Sequence, residues 1–166
     1  MEIQGKWSVP IVLTKSNSNH QIYEIDLERL PSEPGVYVFA RKHGKKTIPL
    51  YIGETLSIRN RIKNHLNSVA LMKAIEKAQQ GGRILIFCTV ASKSKEKAKK
   101  QVKIIEKAMI LHAQSEGHEL FNKKGTKLPT DKICFTGNRV SESIAPRTML
   151  IKRALTKRTV VGTSQG

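Results

Sequence analysis

The chain predicts an α/β (α+β) domain built on a small mixed or antiparallel three-stranded central sheet flanked by helices, with an extension at each end. Three features point there. Gly35-Val36-Tyr37-Val38-Phe39-Ala40 and Thr47-Ile48-Pro49-Leu50-Tyr51-Ile52-Gly53 are rich in β-branched and aromatic residues and read as two strands of a hairpin. Ile58, Ile62, Leu66 and Val69 then recur at helical spacing. Arg83 to Val90 is a continuous apolar run, the signature of a strand buried on both faces.

Taken in order, Val9 to Leu13 reads as an opening strand, followed by the polar turn Lys15-Ser16-Asn17-Ser18-Asn19 and an extended piece from Ile22 to Leu27. Pro31 and Pro34 stop any helix there. The hairpin has a loose tip at His43-Gly44-Lys45-Lys46, and its pairing would let Tyr37 and Tyr51 approach on one face. Thr55 or Ser57 can cap the helix that follows, which continues, with a bend, over residues 69–79 until Gly81-Gly82 ends it. Ser92 or Ser94 starts the longest helix, which runs to about Ser115 on a stripe of Ala98, Val102, Ile105, Met109 and His112. Its first turns carry Lys93, Lys95, Lys97, Lys99, Lys100 and Lys103 against only Glu96, which works against the helix dipole. Both a solvated lysine face and a phosphate-facing ridge fit that pattern. Residues 117–138 are turn-rich, and Thr148 to Leu155 suits a short helix. The expected division is an N-terminal extension over 1–30 packed on the core, a core domain over 31–125, and a basic C-terminal extension over 126–166.

Composition narrows the partners. The net charge is +17, with 30 Lys plus Arg against 13 Asp plus Glu, and such an excess favours a polyanionic partner. No amphipathic lipid anchor and no long apolar run supports a membrane role, and the first residues lack the pattern of a signal peptide, so a cytoplasmic location is expected. Cys88 and Cys134 have no CxxC partner; buried, reduced thiols are expected, and a zinc site or disulfide framework is not. Few aromatic residues, 5%, weigh against a single-strand reader of RNA.

The residues also offer a chemistry. Hydrolysing a phosphodiester needs a base for water, a cation for the developing charge and a group that positions the phosphate. Glu106 lies about 40° off the apolar stripe of the long helix, counted from Val102, where a carboxylate can face a cleft or simply pair with Lys103 or Lys107. A lone carboxylate suits Mg²⁺, or Mn²⁺, with several waters retained. Arg61 and His65, four residues apart, share a helix face, and the arginine can fork two phosphate oxygens. Taken alone, the two tyrosines also fit plain sheet packing, and Gly53 would let a helix or a phosphate come close to the strand end.

Tyr37 and Tyr51 in two strand pieces, followed by Arg61 and His65 on a helix, Glu106 on a later helix and Asn122 in a loop, resemble the GIY-YIG nuclease superfamily from Gly35 to Asn122. The resemblance implies a metal-dependent endonuclease acting on DNA, with double-stranded DNA expected. It gives Tyr37 as general base or its relay with Tyr51 in support, Arg61 as the stabiliser of phosphate charge, His65 as its assistant, Glu106 as the metal ligand and Asn122 as a brace. Arg59, Lys63, Lys123, Lys124, Arg147, Lys152 and Arg153 are the expected phosphate contacts. Val36 replaces the usual isoleucine, and no further histidine lies between His65 and His112. A restriction or defence setting is the leading expectation, structure-specific repair or recombination cleavage the alternative, and a non-catalytic nucleic-acid binder the rival from another class. A homodimer or a separate DNA-reading partner would supply what so short a chain lacks.

Overall fold

The computed structural model describes residues 2–122, 131–151 and 160–162. The chain opens with β1 (Glu2–Trp7), in which Ile3, Gly5 and Trp7 face inward and Glu2, Gln4 and Lys6 face solvent, the period-two alternation of a strand with one buried face. Short strands β2 (Ile11–Val12), β3 (Thr14–Lys15) and β4 (Tyr23–Glu24) follow, and a 3₁₀ turn over Leu27–Arg29 is capped by Asp26. The continuous strand expected over Val9 to Leu13 is therefore corrected. Pro10 has no N–H for a ladder, and the pairing falls on either side of it. The extended piece from Ile22 to Leu27 is likewise reduced to β4 and the turn.

β5 (Gly35–His43) and β6 (Lys46–Thr55) form the expected hairpin, with a β-bulge at Phe39/Ala40. Its tip is tight where a loose one was expected: His43 pairs Lys46, and Gly44 takes φ +59°, a conformation costly for any residue with a Cβ. α1 (Ile58–Leu66) and α2 (Val69–Lys77) are two helices, not one bent helix. Asn67 ends the first and Ser68 begins the second, which resets the helical phase. Val69 is consequently exposed, and Met72 and Ile75 carry the burial instead. β7 (Gly82–Val90) is the buried central strand the apolar run predicts, and α3 (Lys95–Ser115) starts at Ser94, whose Oγ accepts from Lys97 N–H. β8 (Asp131–Thr136), β9 (Thr148–Ile151) and β10 (Val160–Gly162) complete the chain. The short helix expected over Thr148 to Leu155 is a strand as far as Ile151, because Thr148 to Ile151 ladder onto β8; the rest lies outside the described residues.

The sheet is larger than expected. Eight strands join it, in the order β10-β9-β8-β1-β7-β5-β6 with β2 also on β7; β1 and β8 are parallel and the other pairs antiparallel. The sequence shows only the hairpin and β7 clearly, since β1 contains Gly5, a weak strand former. Gly5 is there for packing: a Cβ would come within 2.4 Å of Cys88 Sγ. β5 lies between β6 and β7, and its alternate side chains feed two cores. Val36, Val38 and Ala40 pack with Val102, Ile105 and Met109 of α3. Tyr37 and Phe39 pack with Ile58, Ile62 and Leu66 of α1 and Met72 and Ile75 of α2. Arg83 holds the C-terminus of α2 by donating to the carbonyls of Ile75, Glu76, Ala78, Gln79 and Gly81, which satisfies its buried guanidinium without a carboxylate. Both cysteines are free; Cys88 is fully buried, and Cys134 is half-buried on β8.

Candidate active site

Tyr37 is completely buried on β5, with its ring on the face covered by α1. Its hydroxyl meets two side chains of that helix: Arg61 Nε donates to it at 3.2 Å, and His65 Nε2 lies 2.5 Å away. The four-residue spacing of Arg61 and His65 is what lets one helix face present both groups to one phenol. Tyr51 joins from β6, its ring stacked 6.2 Å from that of Tyr37 and edge-on to His65 at 5.4 Å. Phe39 closes the aromatic wall at 6.0 Å from Tyr37.

Gly53 makes this possible. It stands opposite Tyr37 in the hairpin, and a Cβ there would fall 2.3 Å from the Tyr37 hydroxyl. The sequence suggested that this glycine admits a helix or a phosphate. The structure shows that the space is filled by the tyrosine's own ring.

Charge states follow from burial. Desolvation, only partly offset by the hydrogen bond from Arg61, holds the Tyr37 phenol well above its ordinary range, so it is protonated at neutral pH. Burial, reinforced by the Arg61 charge, lowers His65 to about 4, so its imidazole is neutral. A charged guanidinium can only donate, so Tyr37 Oη accepts from Arg61, while the protonated phenol and the neutral imidazole share the 2.5 Å bond between Oη and Nε2. The result is a short ordered chain from Arg61 through Tyr37 to His65. Arg61 uses Nε for this and is exposed on α1. Glu54, which the sequence reading overlooked, adds its negative charge to the field at Arg61; its place directly after Gly53 was the available signal.

Asn122 does not touch the phenol. Its Oδ1 accepts from Ile52 N–H at 3.2 Å and its Nδ2 donates to Ile52 C=O, while Phe121 N–H bonds Leu50 C=O at 2.8 Å. Residues 121–122 thus line the outer edge of β6, on either side of Tyr51. Glu106 is half-buried on α3, which packs against the other face of the sheet and chiefly on β6. Among the described residues no three or more His, Cys, Asp and Glu side chains converge. Of the expected phosphate contacts, Lys63 is exposed on α1. Arg59 instead donates to Leu30 C=O at 2.8 Å beside Glu28, and Arg147 pairs with Glu142 at 2.6 Å. Lys123, Lys124, Lys152 and Arg153 lie outside the described residues. No described helix is long and apolar enough to cross a membrane.

The chain is similar to Excinuclease cho of Escherichia coli O6:H1, 34% identical over an alignment 104 residues long that covers 59% of this chain and 28% of the relative. It is also similar to Excinuclease cho of Salmonella typhi, 31% identical over 100 residues with the same coverage. The chain therefore spans well under a third of the length of these relatives. No solved structure matches. The model of the GIY-YIG catalytic domain matches residues 33–122, the span holding Tyr37, Tyr51, Arg61, His65, Glu106 and Asn122. On that match, which covers more than half of its length, the chain belongs to the GIY-YIG nuclease superfamily.

Proposed function

We propose that this chain is a divalent-metal-dependent endonuclease that hydrolyses phosphodiester bonds in DNA. The hydrogen-bonded chain Arg61–Tyr37–His65 is the observation that carries the reading. A water hydrogen-bonded to Tyr37 Oη gives up a proton to that oxygen as Tyr37 passes its own proton to His65 Nε2; the hydroxide formed attacks phosphorus, and the leaving oxygen departs with the electrons of the broken P–O bond. The relay avoids a resting phenolate, which burial disfavours. It needs His65 neutral at the start, as burial and Arg61 make it. The terminal nitrogens of Arg61 grip the phosphate in a fork and balance its growing charge. Tyr51 holds the ring of Tyr37 by stacking, and Asn122 braces β6 beneath Tyr51.

Glu106 is the residue that would hold Mg²⁺ or Mn²⁺, and such an ion supplies charge neutralisation at the phosphoryl oxygens when bound. That α3 packs chiefly on β6, the edge strand, supports a phosphate shared by Arg61 and Glu106 near that edge. Domain limits of 1–30, 31–125 and 126–166 remain the working division, and sequence recognition would fall to a second copy or a separate DNA-reading partner. A restriction or defence role was the first expectation; the name excinuclease, borne by both relatives, favours the alternative of structure-specific incision in repair.

The test is cleavage of supercoiled plasmid, and of forked and linear duplexes, in Mg²⁺ and in EDTA. Wild type should nick or cut only with the metal, and Glu106→Gln should bind DNA without cutting. Retarded but intact DNA under every condition would move the reading to a non-catalytic binder. Discrete fragments from linear duplex would favour restriction, and incision confined to forks would favour repair.

A further inference from the structure

We infer that Lys95, Lys99 and Lys103 on α3 form a phosphate rail that leads one DNA strand along the helix to Glu106. The inference rests on the nuclease reading above but on different residues. At about 100° per residue, Lys95, Lys99, Lys103 and Glu106 fall within about 80° of one another around the helix axis. Successive lysines are about 6 Å apart along the axis, and Glu106 is about 16 Å from Lys95.

What happens along that arc gives it a direction. Lys95, Lys99 and Lys103 are exposed, Glu106 is half-buried, and Ile110 and Ala113 beyond it are buried in the core. The solvent-facing track thus begins at the N-terminus of α3 and stops at the carboxylate. None of the ion pairs Lys15–Glu76, Arg59–Glu28 and Arg147–Glu142 involves these lysines. Nor does folding ask for them. Cations in the first turns of a helix oppose its dipole, the one acid there is Glu96, and on this arc only Ile110 and Ala113, beyond Glu106, dock α3 in the core. Exposed charge that costs stability and makes no ion pair among the described residues fits a polyanion outside it. Regular spacing toward the proposed metal ligand fits a strand of phosphates better than a diffuse positive field.

The experiment compares wild type with the triple variant Lys95→Ala, Lys99→Ala, Lys103→Ala, and with a charge-matched control at the hairpin tip, Lys42→Ala, Lys45→Ala, Lys46→Ala. Fluorescence anisotropy on a labelled duplex, titrated with salt, reads the number of phosphates each protein neutralises. The rail predicts a log Kd against log salt slope shallower by about 2–3 in the α3 variant, at about 0.9 per contact, and a much smaller change in the control. Cleavage should show a raised KM with kcat little altered, the mark of lost uniform binding. The melting temperature should hold or rise, because helix-start cations are removed. Equal slope changes in both variants would assign the effect to net charge and overturn the rail. An unchanged slope in a protein that still binds and cuts would overturn the rail alone. A wild type that neither binds nor cuts would remove the nuclease reading and the rail together.

Discussion

The two faces of the central sheet do opposite work with side chains from the same strands. On the face covered by α1 and α2, β5 contributes Tyr37 and Phe39, and a buried polar chain threads an otherwise apolar core. On the face covered by α3, β5 contributes Val36, Val38 and Ala40, and they pack in one apolar cluster with Val102, Ile105 and Met109. The difference teaches where reactivity can be kept. Burial tunes the protonation of Tyr37 and His65 only because each has a partner, and an unpaired polar group at the same depth would simply destabilise the fold. The α3 face is apolar adhesive, and its charges sit on the outer side of the helix.

Four substitutions break or sharpen that contrast. Tyr37→Phe keeps the ring and removes the relay oxygen, so cleavage should drop by about 10²–10⁴-fold with the fold retained, read as single-turnover rates beside circular dichroism. Full activity in this variant would end the relay. Ile105→Ala, on the other face, should cost about 2–5 kcal/mol in urea unfolding and leave the rate per folded molecule unchanged. Gly53→Ala links the two effects. Its methyl group collides with the Tyr37 hydroxyl, so a loss of about 1–3 kcal/mol should come with a slower reaction, and a neutral result would mean the ring has room to move.

The smallest effect is a slope. His65 titrates near 4 in the folded chain against an ordinary 6.5, so the unfolded state takes up its proton first as pH falls. Stability from this group is complete above pH 6.5, is lost as pH falls from 6.5 toward 4, and changes no further below. His65→Gln should flatten melting temperature against pH in that window. His112, also lowered by burial, keeps part of the slope.

Much of the site was legible because its spacing is local. Arg61 and His65 are one turn apart, and the hairpin that aligns Tyr37 with Gly53 and Tyr51 is contained between Gly35 and Thr55. The helix α3 was legible from Ser94 to Ser115, since its stripe and cap are continuous. What escaped depends on distant partners. β1 is a strand because β7 and β8 flank it, and nothing around Gly5 says so. β9 looks helical in isolation and is extended because β8 offers it a ladder. Arg59 looks like a phosphate contact until Leu30 and Glu28, thirty positions earlier in the chain, claim its guanidinium. The protonation of Tyr37 was equally out of reach, since it is set by depth and not by sequence neighbours.

Asn122 has one more consequence, at the level of molecules meeting in solution. β6 is an end strand, and an end strand displays unused backbone groups that invite a strand from another chain. By bonding both the N–H and the C=O of Ile52, and with Phe121 bonding the C=O of Leu50, the segment occupies those groups at the stretch beside Tyr51. The residue that braces the reactive hairpin is therefore also a guard against self-association. Losing it would expose a sticky seam as well as loosen the site.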